Sequence, residues 1–406
     1  MAEKKIMFIA GEPSGDALAA ELALALRAEA KFHCHPAEPV LNYFGAGGPK
    51  LAAAGVNLEV DMTQHAVIGL WEVVKNYGNF RRIFDELLEL AVKREPDLLV
   101  CVDFSGFNRR FAHAVRAKSA KSKGKWNPRI VQYVSPQVWA SRPGRATKMA
   151  DDYDLLLSIF PFEKDWYAQR APGLRVEFVG HPMLDRFRKL TLEPEQYPLP
   201  EWALAKRPDA PLVVLLPGSR KSEVQRHLPV LIQTLDRIQK AWAGGVNYRI
   251  VLPKELPINT LLKWFGGTLP RNLFFQNGGL AEALSSATIA IASTGTVTME
   301  CAFFNVPTIA LYKTSWSTYQ IGKRIVTVNY LAMPNLLAGE AVFPEFVQDA
   351  ATGKNLAEAA LALLRDEARR KEIQRKLGQI IAGLGSAGAN VRAAKAIWNL
   401  MDVTAK

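Results

Sequence analysis

Short apolar runs of about five residues recur along the chain, each closed by turn-forming residues and followed by a helical pattern. Residues 6–10 lead into Gly11-Glu12-Pro13-Ser14-Gly15-Asp16 and an alanine-rich helix. Residues 98–102 lead into Asp103-Phe104-Ser105-Gly106-Phe107, and 130–134 into Ser135-Pro136-Gln137. A further run, 176–179, ends at Gly180-His181-Pro182. The pattern then restarts: 212–216 enters Pro217-Gly218-Ser219-Arg220, 249–252 enters a loop, and 289–292 enters Ser293-Thr294-Gly295-Thr296. Strands alternating with helices predict parallel sheets, and a restarted set predicts two of them. The fold class expected is therefore α/β, with two facing Rossmann-like domains. The polar, proline-rich stretch 190–211 reads as the linker, giving a first domain at 1–190 and a second at 191–385. A C-terminal helix at 386–406 then either crosses back to the first domain or pairs two subunits in a homodimer. Ligands in open parallel sheets bind beyond the carboxyl ends of the strands. Every loop named above follows such an end, so the site is expected where the two sets face each other.

At 406 residues, the chain is longer than one core usually serves, which supports the same division. Its apolar share, 49%, is that of a globular protein and excludes disordered, fibrous and repetitive classes. Cys34, Cys101 and Cys301 are far apart and form no CxxC pair, which argues against a disulfide framework or zinc site and fits a reducing compartment. The apolar run after the charged start is too short for a signal peptide's core, and no stretch approaches the ~20 apolar residues of a membrane span. The expected location is cytoplasmic. A formal charge of +12 admits nucleic acid, an anionic membrane surface or phosphorylated substrates, but it nowhere gathers into an RNA-binding signature, so no nucleic-acid partner is expected.

Ser293, Thr294, Gly295 and Thr296 form a small, hydroxyl-rich turn that opens a helix, a place suited to a diphosphate. Glu300 follows one turn later, where it either accepts from ribose hydroxyls or is simply solvated. In the second phosphate-friendly turn, Gly218 and Ser219 allow close backbone approach and Arg220 offers a planar fork; a basic surface turn is the plainer alternative. The loop 11–16 lacks GxGxxG and GxxxxGK[ST] and reads as the lining of an acceptor pocket containing Ser14, with Asp16 either in that pocket or capping its helix. Asp103, at a strand end beside a glycine loop, stands where a general base belongs, or else is a turn-forming aspartate. Asp152-Tyr153-Asp154 matches a metal-binding DxD but precedes its apolar strand, so no metal and no cofactor are expected. His181 contacts ligand or caps a turn. Val67, Leu70, Trp71, Val74 and Tyr77, with Phe80, Ile83 and Phe84, keep helical spacing: a buried helix, or an amphipathic element touching membrane or acyl chains.

Taken in order, the segments AGEPSGD (10–16), FGAGGPKLAAAG (44–55), VIGLWEV (67–73), VDFSGFN (102–108), YVSPQVWA (133–140), FPFEKDWY (160–167), VGHPMLD (179–185), LLPGSRKSEV (215–224), STGTVTMEC (293–301) and MPNLLAG (333–339) resemble the lipid-A-disaccharide synthase family, inverting glycosyltransferases of GT-B architecture. The resemblance covers nearly the whole chain. It departs at Ser141, where many relatives carry a second Trp after VWA. It implies transfer of 2,3-diacylglucosamine from UDP to the 6-hydroxyl of 2,3-diacylglucosamine 1-phosphate, giving a β-1,6 disaccharide and UDP at the inner face of the inner membrane. It further implies that Asp103 and Glu12 are catalytic, and that Gly218, Ser219, Arg220, residues 293–296, Glu300 and Asn335 hold the UDP-sugar. Ser14, Asp16, His181, Val67, Leu70 and Trp71 would meet the acceptor, its acyl chains or the membrane. The competing readings are a UDP-N-acetylglucosamine transferase or 2-epimerase, and a nucleotide-sugar sensor without turnover.

Overall fold

In the computed structural model, the chain is described over residues 3–33, 40–63, 77–192, 210–253, 256, 263–265 and 272–402. It forms two compact units, Met1–Arg186 with Leu384–Lys406, and Phe187–Gly383.

The first unit holds β1 (Lys4–Ala10), β2 (Leu41–Gly47), β3 (Asn57–Asp61), β4 (Leu98–Val102), β5 (Arg129–Tyr133), β6 (Leu155–Ser158) and β7 (Val176–Phe178). They lie in the order β3-β2-β1-β4-β5-β6-β7, with every pairing parallel. The second unit repeats the plan with β8 (Leu212–Leu216), β9 (Asn247–Leu252), β10 (Leu273–Asn277), β11 (Ile289–Ser293), β12 (Thr308–Tyr312) and β13 (Glu345–Val347), ordered β10-β9-β8-β11-β12-β13. The central strands β4 (LLVCV), β8 (LVVLL) and β11 (IAIAS) are buried at every position. Helices cover both faces of such a sheet, so the strands are apolar throughout and do not alternate.

Strand order reverses once in each sheet. β1 pairs with β2 on one side and β4 on the other, setting Ala10 beside Val102. β8 likewise separates β9 from β11 and sets Leu216 beside Ala292. At such a reversal the two neighbouring connections leave toward opposite faces and open a crevice at the strands' carboxyl ends. The sequence puts its most chemically suggestive loops at these two places.

The C-terminal helix Ala389–Asp402 packs on Pro13–His33 of the first unit. Asp185 accepts from the backbone N–H groups of Gly388 and Ala389, capping the start of that helix. Tyr133 donates to Asn390 (2.8 Å), Asn390 donates to Glu21 (2.9 Å), and Arg392 donates to the Val179 carbonyl (2.8 Å). Within one chain, therefore, the last helix returns to the first unit.

Candidate active site

At the first switch point, Gly11 follows β1 and Asp103 follows β4. Asp103 and Phe104 both adopt left-handed backbone, with φ of 50° and 41°. That conformation costs roughly 1–2 kcal/mol at each non-glycine residue, so neighbouring groups must enforce it. The Asp103 N–H donates to the Tyr133 carbonyl (2.9 Å), and the Asp103 carbonyl accepts from Asn108 (2.8 Å) and Gln132 (3.0 Å). The same Gln132 amide lies 3.2 Å from the carbonyls of both Tyr133 and Val134, and its oxygen accepts from Tyr153 (3.2 Å). Val134 is a β-branched residue at φ 65°, a second costly turn. One buried side chain thus ties together the strained ends of two adjacent strands. The ring of Phe104 lies against Gly11, and a methyl at Gly15 would stand 3.6 Å from the Asp103 Cβ.

Asp103 and Glu12 are both half-buried. Burial, and then the neighbouring Glu12 charge, raise the Asp103 carboxyl above the ordinary carboxylate range, against a lowering hydrogen bond from the Phe104 backbone. A carboxylate with raised proton affinity is suited to take a proton from a hydroxyl at neutral pH.

At the second switch point, Gly218 has φ 125°, and a side chain there would meet the Glu223 carboxylate at 2.5 Å. Glu223 accepts from the Ser219 N–H (3.1 Å) and stands 3.6 Å from the Arg220 guanidinium. The latter contact exceeds hydrogen-bond length, so a phosphate oxygen can displace it. Beside this turn, Ser293 ends β11 with its side chain buried and Gly295 takes φ 149°. Thr298 fixes that turn by donating its hydroxyl to the Gly295 carbonyl (2.7 Å). The exposed Thr296 then begins the helix Thr296–Phe303, where the Thr298 N–H turns back to the Gly295 carbonyl (3.1 Å) and the N–H groups before it lie ahead of the first helical acceptor. Glu300 lies half-buried in its second turn.

His227 carries no functional signal in the sequence. It is fully buried: Nδ1 lies 2.7 Å from the Pro217 carbonyl, and Nε2 accepts from the Lys313 N–H (3.0 Å). These two bonds fix the neutral Nδ1–H tautomer, and burial lowers its proton affinity in the same sense. It joins the turn after β8 to the end of β12. Gln132 likewise carries no signal in the sequence, because it acts on backbone carbonyls that the fold brings near.

Two of the expected site residues have structural contacts that the sequence did not show. Asp16 is buried, and its carboxylate accepts from the N–H groups of Gly48 (2.7 Å), Lys50 (3.0 Å) and Leu51 (3.0 Å). It caps the short helix Pro49–Ala53 and not its own. Asn335 is fully buried, donating to the Phe343 carbonyl and Glu345 (2.8 Å each) and accepting from the Phe343 N–H (2.7 Å). It braces β13. His181 caps its turn, accepting from the Met183 N–H (3.2 Å), and burial with the Arg186 charge lowers its pKa to about 4. Ser14 is exposed in the first turn of Pro13–His33, a helix that begins inside the expected loop. Val67, Leu70 and Trp71 lie outside the described residues; Ile83 and Phe84, later in that pattern, belong to the core of the first unit.

The DxD-like pair is occupied structurally. Asp152 bonds His113 (2.9 Å), while Asp154 pairs with Arg116 and Arg129 and accepts from the Ile130 N–H (2.7 Å). Among the described residues, no helix is long and apolar enough to cross a membrane.

The family model for lipid-A-disaccharide synthetase matches residues 6–397. The lipid-A-disaccharide synthase of Trichlorobacter lovleyi is 33% identical over 98% of both chains. Among solved structures, the UDP-GlcNAc 2-epimerase of Neisseria meningitidis bound to UDP-GlcNAc superposes with TM-score 0.61 at 11% identity, covering 98% of this chain and 100% of that one. The calicheamicin glycosyltransferase CalG4 gives TM-score 0.58 at 16% identity over 100% of each chain. These two likenesses concern the fold alone, that of GT-B transferases and epimerases.

Proposed function

The chain belongs to the lipid-A-disaccharide synthetase family, and from that premise we propose an inverting, metal-independent transfer in which the switch-point turn of each unit serves one substrate. The acceptor, 2,3-diacylglucosamine 1-phosphate, binds the first unit with its 6-hydroxyl at Asp103. UDP-2,3-diacylglucosamine is held by the second unit through Arg220, the backbone of Gly218 and Ser219, and the start of the Thr296–Phe303 helix. As the hydroxyl oxygen attacks carbon 1 of the donor, Asp103 takes its proton and the bond to UDP breaks. Attack opposite the departing group gives the β-1,6 linkage.

The observation that carries this reading is the Asp103 turn: a strained backbone clamped by Gln132 and Asn108, bearing a carboxyl of raised proton affinity. Backbone strain concentrates where a side chain must be aimed. Charge developing on the leaving diphosphate is met by Arg220 and helix N–H groups, which favour it more as it grows. The structural occupation of Asp152 and Asp154 supports a reaction without a divalent cation, so turnover should persist in EDTA. Peripheral attachment to the inner face of the inner membrane fits the excess of basic residues and the acylated substrates.

The test is to incubate purified protein with both acylated substrates and weigh the products. Equimolar UDP and a disaccharide 1-phosphate are expected. Conversion of UDP-N-acetylglucosamine to its 2-epimer, with no disaccharide formed, would overturn the proposal.

A further inference from the structure

The helix Ser105–Lys121, which begins at the Asp103 turn, has two chemically different sides. On one, Phe104, Phe107 and Phe111 stack in sequence at 5.6 and 5.9 Å, with Phe84 of Tyr77–Arg94 edge-on to Phe107 and Phe111. On the other it packs against Arg145–Asp152. Far from the Asp103 turn this second seam is neutralised: His113 meets Asp152 (2.9 Å), and Arg116 meets the Asp152 carbonyl (3.0 Å) and Asp154.

Nearer the turn, the seam changes character. Arg109 precedes His113 by four residues and so shares its side of the helix, with Arg110 beside it. Arg145 is the first residue of the facing helix, and Arg142 lies in the loop before it. The charges of Arg142, Arg109 and Arg110 all bear on Arg145, lowering its proton affinity after the effect of burial. Among the described residues, none of the four forms an ion pair with a carboxylate, unlike Arg116 and Arg129 close by. Arg110 and Arg142 are exposed and Arg109 and Arg145 half-buried, so the group is open to solvent. Four mutually repelling guanidinium groups are an unfavourable arrangement unless an anion completes it. Arginine's fork suits the oxygens of a phosphate.

We propose that Arg109, Arg110, Arg142 and Arg145 form the subsite for a phosphomonoester, the phosphate on carbon 1 of the acceptor sugar. The assignment rests on the reading of Asp103 as the base for that same acceptor. Arg109 lies four residues into the helix that begins at Ser105, two residues beyond Asp103, or about 6 Å along its axis at 1.5 Å per residue. That is the scale on which the 6-hydroxyl of a pyranose is separated from phosphorus on carbon 1 of the same ring. One end of the acceptor meets the base while the other meets the arginines.

The experiment compares wild type with Arg142→Ala/Arg145→Ala and Arg142→Lys/Arg145→Lys. It measures the Kd in detergent micelles for diacylglucosamine 1-phosphate, for the same lipid without phosphate, and for UDP, together with binding to phosphatidylglycerol vesicles. For the alanine pair, affinity for the phosphorylated lipid should fall about tenfold or more. The other two ligands, vesicle binding and the melting transition should be unmoved, and the lysine pair should keep most of the affinity. Unchanged affinity for the phosphorylated lipid, or equal loss for both lipids, overturns the subsite. Weaker vesicle binding with micellar affinity intact would assign the arginines to bilayer headgroups and equally overturn it. A wild type that makes no disaccharide, but whose phosphorylated-lipid binding the alanine pair abolishes, would refute the catalytic reading and leave the phosphate site standing.

Discussion

The ring of Phe104 fills the space that a side chain at Gly11 would need, since a methyl there would lie 2.2 Å from the ring. The connection after β1 and the turn after β4 are therefore fitted to each other, and the position of Asp103 depends on glycine at 11. Gly11→Ala should push Phe104 outward and drag its neighbour with it. Overpacking of this kind costs about 1–3 kcal/mol. A denaturant melt should show that loss, and turnover should fall at least about tenfold while UDP affinity holds. Unchanged turnover would mean that the two loops adjust independently.

Asp103→Asn keeps the size of the side chain but cannot accept the hydroxyl proton. General-base assistance contributes roughly 10²–10⁴-fold, so kcat should fall by that order with UDP binding and melting temperature little changed. A parallel loss of UDP affinity would make its role positional, and unimpaired turnover would pass the candidacy to Glu12.

The pH profile gives a separate handle on the same pair. Asp103 must be ionised to act, and its raised proton affinity puts the acidic limb of kcat/KM above the ordinary carboxylate range. Glu12→Gln removes one of the two causes of that rise. The limb should then shift to lower pH; a limb that stays in place would separate Glu12 from Asp103 electrostatically.

The strands the sequence revealed are those with continuous apolar runs, such as β4 and β8. Those it did not reveal are short or mixed. β2 (LNYFGAG) ends in glycines, β10 (LFFQN) carries polar residues, and β13 (EFV) has three residues whose burial is only partial. The turns at Asp103, 218 and 295 were legible as turns because polar residues and glycine directly follow continuous apolar runs. The contacts of Asp16 and Asn335 were not legible, because capping a distant helix or bracing a strand uses the same residue types as binding a ligand. Only the fold brings Gly48 to Asp16 and Phe343 to Asn335. Gln132 gave no signal at all, since a lone glutamine in an apolar strand says nothing about the carbonyls converging on it.

Glu163 offers a stability test. It is fully buried, accepts from the Trp139 indole (2.9 Å) and the Phe160 N–H (3.4 Å), and is pushed by burial up to about 7. The unfolded chain releases this proton near its ordinary value of about 4.3, whereas the folded protein keeps it until near 7. Between those points the native state binds more protons, so this contribution is complete below the unfolded value and is lost as pH rises through 7. The stability of wild type relative to Glu163→Gln should decline by about 1–3 kcal/mol from pH 4.5 to 7.5. A difference independent of pH would place the carboxylate in a more polar setting.

Arg220→Ala removes the only side chain with a planar fork from the turn after β8. Loss of a charge-assisted contact to phosphate should weaken UDP binding roughly ten- to a hundredfold, and kcat should drop as well because the leaving charge grows during reaction. Calorimetric titration with UDP decides it. If affinity and turnover both stay at wild-type values, Arg220 merely pairs with Glu223 at the surface.

Gln132 is the sharpest test of whether the strained edge matters to chemistry. Its amide nitrogen faces the carbonyls of Asp103, Tyr133 and Val134, while its oxygen receives the Tyr153 hydroxyl. Gln132→Glu keeps the shape and the bond from Tyr153 but turns a carboxylate oxygen toward three carbonyls. Leaving those acceptors unpaired and repelled in a buried site should cost about 2–4 kcal/mol. The left-handed turns at Asp103 and Val134 would then relax toward ordinary backbone, so kcat should fall by about tenfold or more while the KM for UDP-sugar, which we propose binds the other unit, stays put. Protonation of the introduced carboxyl restores a donor, so the stability deficit against wild type should shrink as pH is lowered toward 5. A deficit that is flat with pH, or a kcat that survives, would show that Asn108 alone holds Asp103 and that the clamp at Gln132 serves only the sheet.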